Sequence, residues 1–262
     1  MKANKRLSVA IVGCGYVANE HAIAWRRVKG VELAACCDVN EEAAKSFSRK
    51  YGIPKFYVDF EELLNEERPS IVDICTSPQT HKPLAVRAMK LGCHVLLEKP
   101  IAMSARDAEE IMLVWKRSGV MLCVVHNWPF QPVVLEVRRM VKGGRLSKIV
   151  GVQVEALHTG NDPMTSNPNH WSHRILGGRV ERDHDECEIL REVGIAGCNV
   201  KCLKRFGRSL GVGFLISAIT SDPLSYRKSL SKHPLIERAA FTFCKLMSML
   251  MKSYDNLVVV GA

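Results

Sequence analysis

The chain has 262 residues, 47% of them hydrophobic and 24% charged, a composition that excludes a disordered polypeptide and leaves room for one large domain or two modest ones. No uninterrupted apolar run reaches the roughly 18 residues of a membrane span, the longest candidate being Leu210 to Thr220. The formal net charge of +10 suits anionic ligands, but no basic helix or aromatic-interleaved patch accompanies it, so no nucleic-acid partner is expected.

From Leu7 to Val125, short apolar runs alternate with helical stretches, the pattern of parallel strands joined by crossover helices. The expected strands are Leu7 to Val12, Val31 to Cys37, Phe56 to Val58, Ile71 to Cys75, His94 to Leu97 and Met121 to Val125. A helix containing Ala22 to Val28 follows the first strand. Glu41 to Tyr51 is a helix capped by Asn40 and stopped by Gly52 and Pro54; Ala105 to Lys116 is another, capped by Ser104 and ended by Gly119. Continuous apolar strands need both sheet faces covered, which describes an open, doubly wound parallel sheet. Beyond it, Pro132 opens a helix that Gly143-Gly144 close, a strand runs from Ile149 to Leu157, and a polar loop extends to Gly178. Val180 to Arg208 keeps no sustained period, whereas Leu235 to Met251 puts Ile236, Ala239, Ala240, Phe243, Leu246, Met247 and Leu250 on one helical face. Two domains are expected, 1–126 and 127–262, the second atypical after about residue 180.

The ten cysteines are scattered through apolar segments such as Cys36-Cys37, Cys75 and Cys123, where they read as free thiols. The basic start, Met1 to Arg6, leads straight into a glycine motif without a cleavage pattern. The expected compartment is the cytoplasm.

That motif is Gly13-Cys14-Gly15-Tyr16-Val17-Ala18, a G-x-G-x-x-A between a strand and a helix. Gly13 permits the tight turn, Gly15 lets a pyrophosphate approach the backbone, and Ala18 keeps helix and strand close. The helix N-terminus offers N–H groups and a positive dipole end to the phosphates. Asp38 closes the second strand at the spacing expected of a carboxylate that binds the adenosine ribose, and its charge favours NAD over NADP. Glu98-Lys99-Pro100 follows a strand at the carboxyl edge, where a lysine can exchange a proton with a substrate oxygen while hydride moves to or from nicotinamide. A surface lysine beside a turn proline is the competing reading.

Together with Thr76-Ser77-Pro78, His81, Gly92-Cys93-His94-Val95 and Val125-His126-Asn127, these motifs resemble the Gfo/Idh/MocA (glucose–fructose oxidoreductase and inositol dehydrogenase) family over Leu7 to about Arg179. The resemblance implies a Rossmann domain followed by a smaller α/β (α+β) domain that carries the substrate pocket and often the oligomer contacts. It implies Lys99 as catalytic lysine with Glu98 its neighbour, both also in contact with the cofactor, Thr76, Pro78 and His81 lining the cofactor cleft, and Asn127 near nicotinamide and substrate. It also implies a small sugar or cyclitol substrate, with a homo-oligomer among the assemblies allowed. Members usually supply a further acid and histidine from the second domain. Here Asp183-His184 is the candidate pair, set against the reading of a solvated charge run.

The family's second domain is generally longer than the segment left here, so that domain reads as incomplete or divergent. Codons for Arg182-Asp183-His184 read one base over can spell Glu-Thr-Met, which makes a frameshift a second explanation. His184, Cys187, Cys198 and Cys202 have a loose zinc-like spacing, but no metal is expected. The function expected is NAD-dependent hydride transfer on a polyol or ketone. The alternative is a catalytically silent NAD-binding protein.

Overall fold

The computed structural model describes residues 6–126, 130, 132–145, 153–157, 235–236, 238–239, 242–243, 246 and 256–260. The chain divides into two compact units, Met1–Val125 with Ser217–Met247 and His126–Ile216 with Ser248–Ala262. A single cut after residue 126 is therefore not how the units divide.

In the first unit, β1 (Leu7–Val12), α1 (Tyr16–Trp25), β2 (Val31–Cys37), α2 (Glu41–Tyr51), β3 (Lys55–Tyr57) and α3 (Phe60–Glu67) are followed by β4 (Ile71–Ile74), α4 (Pro78–Lys90), β5 (His94–Leu97), α5 (Ala105–Ser118) and β6 (Leu122–Val124). Six strands form one parallel sheet in the order β3-β2-β1-β4-β5-β6. The chain runs outward from β1 on one side and from β4 on the other, so the order reverses between these two strands, and open α/β sheets bind ligands at the carboxyl ends of strands at such a point. β1 and β4 are the middle of the sheet: Val9, Ala10 and Ile11 are 0% exposed, and every residue of β4 is buried, the acid Asp73 included.

Helix boundaries follow local chemistry. The side chains of Asn40, Asp59 and Ser104 accept the N–H groups of Ala43, Glu62 and Asp107 at 3.1, 2.8 and 3.1 Å, capping α2, α3 and α5. Among α1–α5, only α1 and α4, which flank the point of reversal, start without a side-chain cap.

Five element boundaries differ from expectation. β3 starts one residue earlier, because Tyr57 is the buried member of its run while Val58 is exposed and leads into the Asp59 cap. α1 stops at Trp25: the N–H groups of Arg27 and Val28 bond only three residues back, to Ala24 and Trp25, tightening the chain towards Gly30. α5 continues to Ser118, whose hydroxyl donates to the Trp115 carbonyl at 3.0 Å. β4 and β6 are shorter than expected, at Ile71–Ile74 and Leu122–Val124.

Residues 235, 236, 238, 239, 242, 243 and 246 are helical, and Ile236, Ala239 and Phe243 are buried as the apolar face requires. Phe243 is 0% exposed, its ring 4.6 Å from that of Trp25 and 4.9 Å from that of His21. The second unit contains α6 (Pro132–Lys142), with the expected opening and closing residues, and β7 (Gln153–Leu157) paired antiparallel with β8 (Asn256–Val260), a strand sequence reasoning did not assign. No helix among the described residues is long and apolar enough to cross a membrane.

Candidate active site

Backbone hydrogen bonds draw the carboxyl ends of the strands into one row. The N–H groups of Asp38, Gly13, Cys75, Glu98 and Val125 donate to the carbonyls of Tyr57, Cys37, Val12, Ile74 and Leu97 at 3.1, 2.8, 2.7, 2.9 and 2.8 Å. The glycine turn, Asp38, the Thr76 turn and the Glu98-Lys99 turn therefore share one sheet edge.

At the glycine turn, Gly13 has φ of +89°, and a Cβ there would lie 2.9 Å from the Cys75 carbonyl and from the Thr76 methyl. Only glycine fits, for conformation and for space. A Cβ on Gly15, by contrast, would meet nothing within 4 Å, so the backbone there is open to a ligand. Ala18 is 0% exposed between helix and sheet, and Tyr16 is 52% exposed at the rim. The Asp38 carboxylate accepts the N–H of Cys14 at 2.8 Å and that of Asn40 at 2.9 Å, which ties the acid to the turn. An open Gly15, an uncapped helix start and a fixed carboxylate suit a dinucleotide: phosphates on the amides, ribose on Asp38.

At the second turn Lys99 is half-buried, and its peptide to Pro100 is cis. Thr76 abuts Gly13, and its hydroxyl accepts that of Thr80 at 2.7 Å. Pro78 is buried at the first position of α4. His81 departs from its expected place on the cleft wall. It is 0% exposed, with Nδ1 2.8 Å from the Pro100 carbonyl and Nε2 3.0 Å from the Thr76 carbonyl. It links the Thr76 turn to the Lys99-Pro100 turn, and burial lowers its pKa, the two carbonyls opposing.

Glu98 likewise points inward rather than towards a cofactor, 9% exposed. One carboxylate oxygen lies 2.9 Å from His21 Nε2, and the other accepts the Lys99 N–H at 3.1 Å. His21 continues the chain, its Nδ1 2.9 Å from an Asp73 oxygen that also accepts the Trp25 indole N–H at 2.6 Å. The Cys75 sulfur sits 3.2 Å from the same Nδ1. Burial works against the charged imidazole, but Asp73 and Cys75 carry the His21 pKa well above its ordinary value. Burial would raise Glu98, yet the His21 hydrogen bond and charge, with Lys99, hold it below the usual carboxylate range. Burial, with Asp73 adding, pushes the Cys75 thiol up to about 12.

Sequence reasoning missed this cluster. Its signals were an aspartate inside the apolar run Ile71 to Ile74 and a histidine among the buried positions of α1. Ligand atoms of His21, Asp73 and Cys75 lie within 4.8 Å of one another, close enough to hold a metal ion, though hydrogen bonds already engage all three. Asn127, Asp183, His184 and the cysteines at 187, 198 and 202 lie outside the described residues.

Residues 7–126 match the model of the Gfo/Idh/MocA family, described as an oxidoreductase family with an NAD-binding Rossmann fold. The match covers a little under half of the chain. Among its curated relatives, D-apiose dehydrogenase of Paraburkholderia graminis is 32% identical over 142 residues, covering 54% of this chain and 38% of that protein. Myo-inositol 2-dehydrogenase of Thermotoga maritima is 24% identical over 206 residues, covering 73% of this chain and 62% of that one. The chain spans about half the length of the curated relatives it matches. An oxidoreductase from Agrobacterium radiobacter, solved in complex with NAD+, L-tartaric acid and magnesium, superposes with a TM-score of 0.62 at 22% identity, covering 72% of this chain and 54% of that one.

Proposed function

We propose that the chain is an NAD-dependent oxidoreductase that moves a hydride between nicotinamide and a sugar- or cyclitol-like carbinol or ketone, with Lys99 exchanging the proton. The observation carrying this reading is the single sheet edge that holds the open glycine turn, Asp38 and Lys99 together. The names of the relatives, a D-apiose dehydrogenase and a myo-inositol dehydrogenase, support the substrate class.

The turn from Gly13 to Gly15 and the first amides of α1 bind the diphosphate, and Asp38 accepts the ribose hydroxyls. A carboxylate there repels a 2′-phosphate, which favours NAD. Val39, 94% exposed beside it, offers an apolar surface to the adenine. The bound dinucleotide supplies the hydride acceptor or donor. Lys99 takes the hydroxyl proton as the alcohol is oxidised and returns it to the carbonyl oxygen in reduction. Thr76 and Pro78 shape the wall beside the diphosphate turn. Asn127 near the nicotinamide and His184 as second acid and base, both in the second unit, complete the assignment. Among the described residues, Cys14, Cys36, Cys37, Cys75, Cys93 and Cys123 are thiols rather than disulfides, which suits a reducing cytoplasm.

Isothermal titration with NADH and NADPH, followed by turnover on a panel of sugars and cyclitols, tests this reading. Micromolar NADH binding with turnover that Lys99→Ala lowers steeply is expected. Binding without turnover on any polyol identifies the chain as a silent NAD-binding protein, and absence of binding removes the redox reading altogether.

A further inference from the structure

We infer that His21 is a positioning residue for Lys99: its ring, gripped between Asp73 and Glu98, fixes the Glu98 carboxylate, and that carboxylate fixes the backbone from which Lys99 projects. The inference rests on Lys99 being the proton-transfer group.

The contacts run without a break from the middle of the sheet to its edge. The Trp25 indole and His21 Nδ1 meet Asp73, His21 Nε2 meets one oxygen of Glu98, and the other oxygen receives the amide of Lys99. His21 and Asp73 are 0% exposed, so water cannot substitute for either partner. A core this dry does not keep two carboxylates and an imidazole unless they do something for one another, since each charge alone is costly to bury. Both ring nitrogens face carboxylates, a geometry that an imidazolium satisfies with two donated hydrogen bonds and a neutral ring with only one.

The groups facing the ring are Asp73 from the fourth strand, Cys75 just past it, Glu98 just past the fifth strand and the uncharged ring of Phe243, while Trp25 from the same helix shares the Asp73 oxygen. The raised pKa of His21 and the lowered pKa of Glu98 agree with one cation between two anions. His81 supports the same turn through the Pro100 carbonyl. Lys99 is therefore held at its own amide and at the residue after it, which is the rigidity a proton-transfer group needs.

Two measurements on the full chain test the inference. In the wild type, 15N NMR of the imidazole should show both His21 nitrogens protonated at neutral pH; a neutral ring there overturns the proposal and needs no variant. In His21→Gln, hydrogen exchange at the Lys99 amide should accelerate about tenfold or more, while the amides of β4 and β5 keep their protection. NADH affinity should stay within about threefold, kcat should fall about 10- to 100-fold with little change in KM, and the acid limb of the pH profile should move up as Glu98 loses its cation. Unchanged exchange at Lys99, or loosening spread evenly over the sheet, refutes a positioning role. If no polyol is turned over by the wild type, the proposed activity fails, while the imidazole and amide measurements still decide whether the clamp exists.

Discussion

The two turns at the sheet edge are built on opposite plans. The glycine turn works through main chain: it needs a residue without Cβ at position 13, open space over Gly15 and a helix start that no side chain has capped. The Lys99 turn works through side chains that arrive from elsewhere, with His21 and Asp73 separated by 52 positions and His21 and Glu98 by 77. Binding a diphosphate asks for conformational freedom, which a short motif encodes. Aiming one amine asks for a stiff support, which only the folded core can supply.

The largest expected effect falls on the second turn. Lys99→Ala should lower turnover by about 10²- to 10⁴-fold, the usual worth of a proton-transfer group, with NADH affinity retained. Stopped-flow turnover beside a binding titration checks it, and equal losses in both would erase the distinction between the two turns. Gly13→Ala should do the reverse, costing about 2–4 kcal/mol through unfavourable φ and overlap with the Cys75 carbonyl, and taking dinucleotide binding with it. Denaturant melts of that variant with and without NADH give the answer. Asp38→Ser should weaken NADH by about 10-fold or more, the value of hydrogen bonds to a charged acceptor, and narrow the preference over NADPH.

The pH dependence sharpens the contrast, because only the Lys99 turn rests on buried charges. His21 has a raised folded pKa, so its contribution is complete below its unfolded value near 6.5 and disappears as pH rises through the folded one. Glu98 has a lowered pKa, so its contribution is present above the ordinary carboxylate range and is lost as pH falls through its folded value. Wild-type stability should therefore fall at both acid and alkaline ends relative to His21→Gln, and parallel pH–stability curves would count against the ionic clamp. Asn40→Ala should have the smallest effect, about 1 kcal/mol for a lost helix cap, with NADH affinity unchanged.

How far the sequence was legible follows the same division. Alternating strands, the Asn40 and Ser104 caps and the Gly13 motif are local signals, and the structure carries each of them. The helices Phe60–Glu67 and Pro78–Lys90 were not assigned; the first is only eight residues long, and the second contains Pro83, which read along the chain marks a break. The resemblance sets Glu98 beside the cofactor and His81 on its cleft, but each side chain turns into the core to meet partners distant in sequence. A polar residue in an apolar run announces a partner without saying which.

Phe243 gives that core one more dependency. Its ring lies against Trp25 and His21 although more than two hundred positions separate it from them. Halting the chain after the last strand of the nucleotide fold would strip an aromatic lid from the very imidazole that steadies the lysine. Such a shortened polypeptide would keep every motif of the coenzyme cradle and yet expose indole and charge to solvent, so trimming this protein to its recognisable half is a poor route to studying even that half.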